Sequence, residues 1–438
     1  YPSLELEGEM SCLFTCLEMK HILVLAYAIS PIRGSEYSVA WNYITHMSQY
    51  HQLTVLYGTS GDHLGDTGEL ETYMQKNPLP NTRFVFVKAK KSTNWINYFN
   101  KKGILVYTFY LAYKQWHKSV YKKAEEILKE EQIDLIHYIS PIGYREPGYL
   151  WKIKLPYIWG PIGGTNDIPF RLWGSVSSIS GKVKLLCRTL ANQVQLHLSP
   201  RIKKALRRCD VLLTATMANQ QKIEKIHHVK SYWLPENGIV GEIHHANPDK
   251  FTRSKLHFIW IGRIDANKAL ILLLKALVRL PPDSPIIVHI VGDGCLKNKM
   301  EKFASKKKIQ HFLQWHGQIN REKVFDLFNI SHLHIITSLS EGNPTTIWEA
   351  MSYGVPTMSL DHCGMHDVIC NKCGIRIPTD SSKQIVSDIS RHIMFFMEHP
   401  EQLKTLAEGV NRCAQNFRWD KRIQTLNKLY DDMMLTCE

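Results

Sequence analysis

The chain has 438 residues, of which 44% are hydrophobic and 21% charged, and this ordinary globular composition excludes a disordered or fibrous protein. The length allows two or three domains, each large enough for its own core. The formal net charge is +14, and residues 1–238 carry 29 Lys and Arg against 19 Asp and Glu. This basic excess in the first half indicates an anionic partner there: lipid headgroups, nucleic acid or a phosphorylated substrate.

The first residues do not resemble a secretory signal. Residues 1–18 carry four glutamates and neither Lys nor Arg, which is the wrong charge for a signal peptide. We interpret them as a foreign remnant or a poorly ordered tail, and the run from Met19 as a natural start. The ten scattered cysteines indicate free thiols in a reducing cytosol, and no apolar run approaches the ~20 residues of a membrane span. We therefore expect a cytoplasmic protein.

Short apolar strands alternate with helical stretches along the first half. Residues 21–27 form a continuous apolar run, and residues 34–50 after it have the pattern of a helix. Further strands are predicted at residues 53–57, 83–87, 135–138, 157–159 and 211–214. This alternation is typical of a parallel sheet with helices on both faces.

The same alternation starts again in the second half. A strand is predicted at residues 256–262 and a helix at residues 268–280. Strands follow at residues 286–291, 313–316, 334–337 and 357–360. We therefore predict an α/β protein in which two doubly wound, Rossmann-like domains turn their strand ends toward one central cleft. The turn-like sequence at 235–238 divides them into residues 19–238 and 239–415.

The segment SLSEGNPTTIWEAMSYGVP, residues 338–356, reads as a loop followed by a capped helix. Asn343 is a suitable N-cap, and Pro344 suits the first position of a helix that ends near Tyr353. Gly354 then takes the position after the helix, where the left-handed conformation favours glycine.

The start of this helix is a predicted anion site. The free backbone N–H groups near Thr345 and Thr346 would face the strand ends and attract an anion. Glu341 lies just before the helix and Glu349 lies inside it, so carboxylates on both sides are able to accept hydrogen bonds from sugar hydroxyls. Taken alone, the two glutamates favour a simpler interpretation, in which one is a surface loop acid and the other a solvated helix acid.

Cations on a neighbouring loop favour the functional interpretation. Arg263 and Lys268 follow the first strand of the second half, directly after Gly262. Two cations near a helix N-terminus are able to neutralise a diphosphate, as a departing nucleoside diphosphate requires. The glycines of the sequence Gly292-Asp293-Gly294, after the next strand, permit a close approach of the backbone.

Three motifs in order, G-R-x4-K, G-D-G and E-G-x-P-x4-E-A-M-x-x-G-x-P, occur over residues 256–378. In this order and spacing they resemble the second half of a family-4 retaining glycosyltransferase with the GT-B fold, a family in which two Rossmann-like domains bind a nucleotide sugar. The resemblance implies that no metal and no other cofactor is needed, because the nucleotide-diphosphate sugar is itself the donor substrate. It also implies that the C-terminal helix, residues 416–438, packs back on the first domain.

The resemblance implies a role for each matching residue. Arg263 and Lys268 would hold the diphosphate, Glu341 would contact the hydroxyls of the donor sugar, and Glu349 the ribose. Backbone and side chains of the remaining motif residues would line the sugar and phosphate site: Gly34, Gly262, Gly292, Gly342, Asn343, Pro344, Thr345 and Thr346. One departure is Ala269, which follows Lys268 where the family usually has glycine.

The first half carries the expected acceptor residues. Gly34, between Arg33 and Glu36, allows the loop after the first strand to approach the donor phosphates or the acceptor. The resembling family often has His-x-His at the end of the strand predicted at 135–138. In this chain His137 takes the place of the first histidine and Ile139 that of the second. His137 is therefore either an acceptor contact or a core histidine, and the remaining acceptor contacts are expected from residues near it and on the loop 160–165: Tyr144, Arg145, Gly163 and Gly164.

Four residues near the donor motifs have spacings that would suit zinc: Cys363, His366, Cys370 and Cys373. The resemblance instead places them on a loop and short helix near the donor. We expect no metal site here, since tetrahedral closure within so short a segment is tight.

Two basic blocks lie in the first half. Residues 88–123 contain nine lysines and no acid, interleaved with aromatic residues, and residues 171–208 contain nine Lys or Arg and no acid. Basic and aromatic residues together suit an anionic membrane surface, although the same pattern is able to follow nucleic-acid phosphates. We favour the membrane and no nucleic acid, because lipid-diphosphate sugar acceptors lie at membranes.

The expected activity is therefore transfer of a sugar from a nucleotide-diphosphate sugar to a glycan or lipid-linked acceptor, as in the synthesis of bacterial O-antigen or capsule. The enzyme would be retaining, metal-independent and peripheral to the inner face of the cell membrane. Two alternatives remain: a nucleotide-sugar epimerase with the GT-B fold, which needs no acceptor, and a basic nucleic-acid-binding protein.

Overall fold

Two parallel β-sheets with flanking helices make up the computed structural model of the chain. The structure describes residues 18–34, 36–101, 108–175 and 179–435. Residues 1–17 of the expected tail lie outside this description. Among the described residues, no helix is long and apolar enough to cross a bilayer.

The first sheet has seven strands in the order β3-β2-β1-β4-β5-β6-β7. Its strands are β1 (His21–Ala26), β2 (Gln52–Tyr57), β3 (Thr82–Phe86), β4 (Leu135–Ser140), β5 (Tyr157–Ile162), β6 (Val211–Thr214) and β7 (Tyr232–Trp233). The helices between and after them are α1 (Glu36–Met47), α2 (Gly68–Lys76), α3 (Lys91–Lys101), α4 (Thr108–Glu130), α5 (Ile179–Leu198), α6 (Pro200–Arg208) and α7 (Met217–His227).

The second sheet has six strands in the order β10-β9-β8-β11-β12-β13. Its strands are β8 (Leu256–Ile261), β9 (Ile286–Val291), β10 (Leu313–Gly317), β11 (Leu333–Ile336), β12 (Thr357–Leu360) and β13 (Gly374–Ile377). The helices are α8 (Leu270–Leu277), α9 (Lys297–Lys306), α10 (Arg321–Ile330), α11 (Thr345–Ser352), α12 (Cys363–Val368), α13 (Ser382–Glu398), α14 (Glu401–Ala414) and α15 (Trp419–Leu435).

Each sheet is buried between two apolar clusters. In β1, Leu23 belongs to the cluster on one face and Val24 to the cluster on the other, because successive side chains of a strand point to opposite faces. Phe258 and Ile259 of β8 divide in the same way. This burial on both faces explains the continuous apolar runs in the sequence. The predicted fold class, two Rossmann-like α/β sheets, is confirmed.

Two helices are shorter than predicted. Helix α1 ends at Met47, and α8 begins only at Leu270. Ala269 precedes α8 in the left-handed conformation, with φ of 46°, which keeps Lys268 in a loop. A left-handed residue with a Cβ costs about 1–2 kcal/mol. This backbone geometry would suit a glycine, the residue that the family resemblance led us to expect here.

The last helix returns to the first sheet. Trp419 and Tyr430 of α15 are buried in the cluster that contains Val24. The two segments that cross between the sheets run side by side, with the Ile239 N–H donating to Phe417 O over 2.9 Å and the Trp419 N–H donating to Ile239 O over 3.2 Å. The chain therefore passes between the sheets twice along one path.

A buried hydrogen-bond network holds α15 on this sheet. His137 Nε2 donates to the carbonyl of Gly160 over 2.9 Å, so its Nδ1 accepts from the Tyr430 hydroxyl at 2.7 Å. Tyr430 in turn accepts from the Tyr43 hydroxyl at 2.6 Å. Burial lowers the pKa of His137 to about 3, although the Gly160 carbonyl opposes this shift, and the ring is therefore neutral. His137 is buried and both of its ring nitrogens are hydrogen-bonded, which favours the core histidine of the two alternatives given above.

We predict that Tyr430→Phe destabilises the protein. The change leaves the buried Nδ1 of His137 without a donor, and a buried polar atom without a partner costs about 1–3 kcal/mol. Thermal unfolding followed by circular dichroism measures the effect. Tyr232→Phe is the control, because Tyr232 is exposed and the substitution removes the same hydroxyl; equal melting temperatures for the two variants would contradict the network.

Candidate functional site

Two adjoining cavities lie between the sheets. The smaller one, about 280 Å³, is lined on the side of the second sheet by Gly262, Arg263, Lys268, Glu341, Asn343, Pro344, Thr345 and Thr346. Glu36, Val39 and Ile142 line it from the first sheet, and Glu236 and Asn237 from the connecting segment. Most of the predicted donor-site residues are therefore close to one another, although they come from two separate stretches of sequence, 262–268 and 341–346.

The loop after β8 presents the two cations. Asp265 Oδ1 accepts hydrogen bonds from the backbone N–H groups of Asn267 and Lys268, each at 3.0 Å. This turn directs the Lys268 side chain to Glu341, and their Nζ and Oε1 atoms are 2.7 Å apart. The Arg263 side chain is 79% exposed and its Nε lies 2.6 Å from Asp265 Oδ2. Arg263 is thus open to the cleft, while Lys268 is neutralised by the acid beside it.

The glycines of the loop after β9 support this arrangement from behind. A Cβ on Gly292, whose φ is 129°, would lie 2.0 Å from the carbonyl oxygen of Gly262, and one on Gly294 would lie 2.5 Å from that of Ile264. The close backbone approach predicted for this loop is real, but the partner is the Gly262 loop. Gly292 does not line either cavity, so the structure does not support a direct donor contact for it.

Helix α11 begins at the cavity, but its cap differs from the prediction. Pro344 occupies the N-cap position and makes no side-chain cap bond. Asn343 is not the cap, because its side chain points away and donates to Ala215 O at 2.9 Å and to Glu236 Oε2 at 3.3 Å. At the other end Gly354 has φ of 61°, which confirms its predicted place after the helix.

The motif interpretation overlooked Glu236. Its Oε1 accepts the Asn343 N–H at 3.0 Å, and a Cβ on Gly342 would lie only 2.7 Å from the same oxygen. Gly342 therefore supports the site by admitting this carboxyl group. Desolvation in the cleft raises the pKa of Glu236 to about 7, although hydrogen bonds from Asn343 oppose the shift. The only signal in the sequence was the turn at 235–238, which gave no reason to select an acid.

Glu36 faces Glu236 across the smaller cavity. Part of its surface is open to the cleft, but the surrounding protein still raises the pKa of Glu36 by desolvation, against a hydrogen bond from the backbone of Ile142. The negative charge of Glu36 further raises the pKa of Glu236. The cavity thus places two acids that are hard to ionise opposite two cations.

The larger cavity, about 480 Å³, is lined by two further residues of the predicted donor site, Glu349 and Gly34. Glu349 lies in it with its Oε1 2.8 Å from Arg321 Nη2, and burial raises the pKa of Glu349 while Arg321 opposes the shift. Gly34 lines the same cavity from the first sheet. Beside it, Arg33 is bound to Glu69 and Asp62 and is therefore already neutralised.

None of the predicted acceptor residues lines either of the two cavities. Tyr144 is buried, and its hydroxyl donates to the backbone carbonyl of Asn192 at 3.0 Å, so the structure does not support the predicted acceptor contact. Arg145 Nη2 donates to Asn192 Oδ1 at 2.8 Å. Gly163 pairs with the segment that follows β4, and Gly164 is exposed beside Arg145.

The four residues considered for zinc are not brought together. His366 Nδ1 lies 2.7 Å from Asp361 Oδ1, and Cys363 packs beside Glu341 at the cleft. Cys370 and Cys373 lie elsewhere, together with Cys413 of α14.

We predict a pH-dependent difference in stability between the wild type and Glu236→Gln. The pKa of Glu236 is about 7 in the folded protein, whereas the ordinary value for a glutamate is 4.5. Between these two pH values the folded state therefore retains a proton that the unfolded state has lost. Its contribution to stability therefore falls as pH rises from about 4.5 to 7. The melting temperature of Glu236→Gln minus that of the wild type should therefore increase from pH 5 to pH 8.

Glu242→Gln is the control for this measurement, because Glu242 is exposed and the charge change is identical. Its melting temperature relative to the wild type should stay constant over the same range. A constant difference for Glu236→Gln as well would contradict the assigned protonation.

Comparisons with known proteins agree with this geometry. The model of the family "Glycosyl transferases group 1" matches residues 245–410. A putative teichuronic acid biosynthesis glycosyltransferase of Bacillus subtilis is 24% identical over 77% of this chain and 82% of its own length. The gpi3 subunit of phosphatidylinositol N-acetylglucosaminyltransferase from Schizosaccharomyces pombe is 24% identical over 45% of this chain, and the match spans only 42% of that protein.

The fold is also that of solved glycosyltransferase-like structures. The Anabaena protein HepE, in a complex with UDP and glucose, superposes with a TM-score of 0.60 at 14% identity, over 95% of this chain and all of that one. This structural likeness covers the fold of both halves of the chain. The family match covers only the second half. Residues 245–410 therefore form a glycosyl transferases group 1 domain, and the two facing sheets of the chain are a GT-B-type glycosyltransferase fold.

Proposed function

We propose that this protein transfers a sugar from a nucleoside-diphosphate sugar to a glycan or lipid-linked acceptor, with retention of configuration at the anomeric carbon. One observation carries the proposal: Arg263, Lys268, Glu341 and the first residues of α11 line a single cavity between two Rossmann-like sheets. Cations and free backbone N–H groups suit the diphosphate, and the carboxylate suits the sugar hydroxyls.

The ion pair in the smaller cavity suggests how the donor binds. Lys268 and Glu341 contact each other at 2.7 Å and would exchange this contact for the donor. The ammonium group of Lys268 would turn to a phosphate oxygen, and the carboxylate of Glu341 to a sugar hydroxyl. Both groups remain hydrogen-bonded throughout, so neither charge is left without a partner.

The larger cavity suits the nucleoside. Its volume of about 480 Å³ falls in the range of small-molecule sites, and the aromatic rings of Trp41, Phe325 and Trp348 form part of its wall. Glu349 is placed there to accept from ribose hydroxyls. The two cavities share Thr345 at the start of α11, which puts the diphosphate between nucleoside and sugar.

The reaction would take place on one face of the sugar. The bond from the anomeric carbon to the diphosphate oxygen breaks as the acceptor oxygen bonds to the same face. The leaving diphosphate takes the proton of the acceptor hydroxyl, so configuration is retained without a covalent intermediate. Arg263, Lys268 and the N–H groups of α11 stabilise the charge that develops on the diphosphate. Because side chains neutralise it, the rate should not depend on added Mg²⁺ or Mn²⁺.

The surface of the first domain supports a membrane-bound acceptor. Helix α5 exposes an apolar stripe at helical spacing: Val183, Leu186, Leu190, Val194 and Leu198. It lies within the basic stretch 171–208, which contains no acid. An exposed apolar stripe among cations is typical of a helix that lies on an anionic membrane. The S. pombe relative, by its name, glycosylates a lipid.

The other basic block, residues 88–123, supports membrane contact only in part. Trp95 and Tyr98 of α3 are exposed as a membrane contact requires, but Tyr113 and Trp116 of α4 are buried against the first sheet. Part of the aromatic pattern in residues 88–123 therefore belongs to the core. Tyr107, in the same block, lies outside the described residues. We propose that the enzyme works at the cytoplasmic face of a membrane, with α5 as its main contact.

We predict that Arg263→Ala and Glu341→Ala each lower the rate of sugar transfer by about 10²–10³, the usual loss for one electrostatic contact to a transition state. Transfer from a panel of nucleotide sugars is followed by release of the nucleoside diphosphate, without added divalent metal. Arg279→Ala is the control, because Arg279 is exposed on the same domain, away from the cleft. Wild-type rates in both cleft variants, with melting temperatures unchanged, would refute the proposed site.

The same assay distinguishes a glycosyltransferase from the alternative of a nucleotide-sugar epimerase. Donor alone should yield no isomeric nucleotide sugar, and the anomeric configuration of the product, read by NMR, should equal that of the donor. An isomeric sugar formed without acceptor supports the epimerase instead.

We predict that the double variant Leu190→Glu/Val194→Glu loses at least about tenfold in partitioning to anionic vesicles, since burial of one large apolar side chain contributes about 1.5–3 kcal/mol. Co-sedimentation with phosphatidylglycerol vesicles measures it. Leu435→Glu is the control because Leu435 is also an exposed apolar residue but lies on α15. Equal vesicle binding by both variants would exclude α5 as the contact, and binding of RNA in place of vesicles would favour the nucleic-acid alternative.

A further inference from the structure

Three thiol groups meet behind the proposed donor site. Cys370 Sγ lies 3.6 Å from both Cys373 Sγ and Cys413 Sγ, and all three sulfur atoms are within 4.8 Å of one another. Cys370 and Cys373 precede β13, whereas Cys413 is in the last turn of α14. Neither group of residues belongs to the two cavities or to the motifs assigned above.

The backbone is shaped to hold these sulfurs close together. The Cys373 and Gly374 N–H groups both donate to Cys370 O at 3.0 Å, and the Cys370 N–H donates to Cys373 Sγ at 3.3 Å. This tight turn of Cys-x-x-Cys directs its two thiols to one side. A Cβ on Gly409 would lie 1.7 Å from Lys372 O, so only glycine lets α14 approach the turn. Cys413 lies one helical turn after Gly409 and thereby reaches the pair.

The distances between the sulfurs match metal coordination. A Zn–S bond is about 2.3 Å, so two thiolates on a tetrahedral zinc ion lie about 3.8 Å apart. The two measured separations of 3.6 Å are close to this value, and are well above the bond length of about 2.05 Å in a disulfide. Among the described residues, no fourth Cys, His, Asp or Glu joins the group, and Cys370 and Cys413 are half-exposed.

We propose that Cys370, Cys373 and Cys413 bind one zinc ion as thiolates, with a solvent molecule as the fourth ligand. The ion takes the place of the three thiol protons, which leave to solvent on binding. With three thiolates and a divalent cation the site has one net negative charge, and Lys372 is close enough to Cys413 to offset it.

The proposed ion would join two parts of the second domain. The three cysteines border the apolar cluster that contains Trp348 and Met351 of α11. Zinc would fasten α14 to the turn before β13 and so support α11 from the side opposite its N-terminus. Its role would be structural, and the site does not depend on which sugar or acceptor the cleft takes.

The test is metal binding by the purified full-length protein. Chain that has been reduced and stripped with a chelator should take up one Zn²⁺, measured by mass spectrometry of the metal. Its melting temperature should rise on binding, since zinc binds the folded state. Cobalt in place of zinc should give the near-ultraviolet absorption of thiolate-to-metal charge transfer.

Cys413→Ser should bind zinc more than about 100-fold more weakly, since even the loss of a group that only orients a ligand costs about 10–100-fold. Cys187→Ser is the control, because Cys187 is an exposed free cysteine of α5, and it should bind like the wild type. If Cys413→Ser fails to fold, the wild type still decides: zinc should protect three thiols from a thiol reagent.

Two results would overturn the proposal. One is a fully reduced wild type that takes up no zinc at micromolar concentration. The other is uptake that is equal in Cys413→Ser and the wild type, which would place the metal elsewhere. Formation of a disulfide between Cys370 and a neighbour in air, combined with no zinc uptake after reduction, counts as the first result and identifies a redox pair instead.

Discussion

All strands of both sheets pair in parallel, and the site depends on this pairing. Parallel strands end at the same edge of a sheet, so the loops that follow them are gathered there. In the second sheet this places the loops after β8 and β11 side by side, and with them Lys268 and Glu341. The backbone bond from the Leu339 N–H to Asn267 O, at 2.7 Å, joins the two loops directly.

The facing of the two sheets rests on a different contact. Asn237, on the segment between them, accepts from Asn42 Nδ2 at 3.0 Å and from Trp419 Nε1 at 3.1 Å. It thereby connects α1, the connecting segment and α15, and Arg422 adds a hydrogen bond to Pro235 O. Glu236, between these residues, reaches Asn343 at the start of α11. The connecting segment is therefore part of the cleft wall as well as a link between the sheets.

The motifs of the second half predicted much of the site because each is local. Arg263 and Lys268 belong to a single loop, and Glu341 to the loop before α11, so spacing along the chain was enough to locate them. The first half was harder to interpret. His137 and Tyr144 are polar residues at or near strand ends, where ligands usually bind, but their hydrogen bonds go to Tyr430 and Asn192, which are distant in sequence. Spacing contains no information about such partners. For the same reason it did not show that Trp95 and Tyr98 of α3 are exposed while Tyr113 and Trp116 of α4 are buried.

The sequence by itself determined most of the strands, the two α/β sheets and the family resemblance, because alternating apolar runs and glycine positions are properties of neighbouring residues. Only the tertiary structure decided which polar groups meet. Desolvation raises the pKa values of Glu36 and Glu236 where their two segments meet at the cleft, and Cys413 joins Cys370 and Cys373 because α14 packs against the turn before β13. Desolvation and contact between distant segments arise only in the folded chain, so no local pattern could have predicted them.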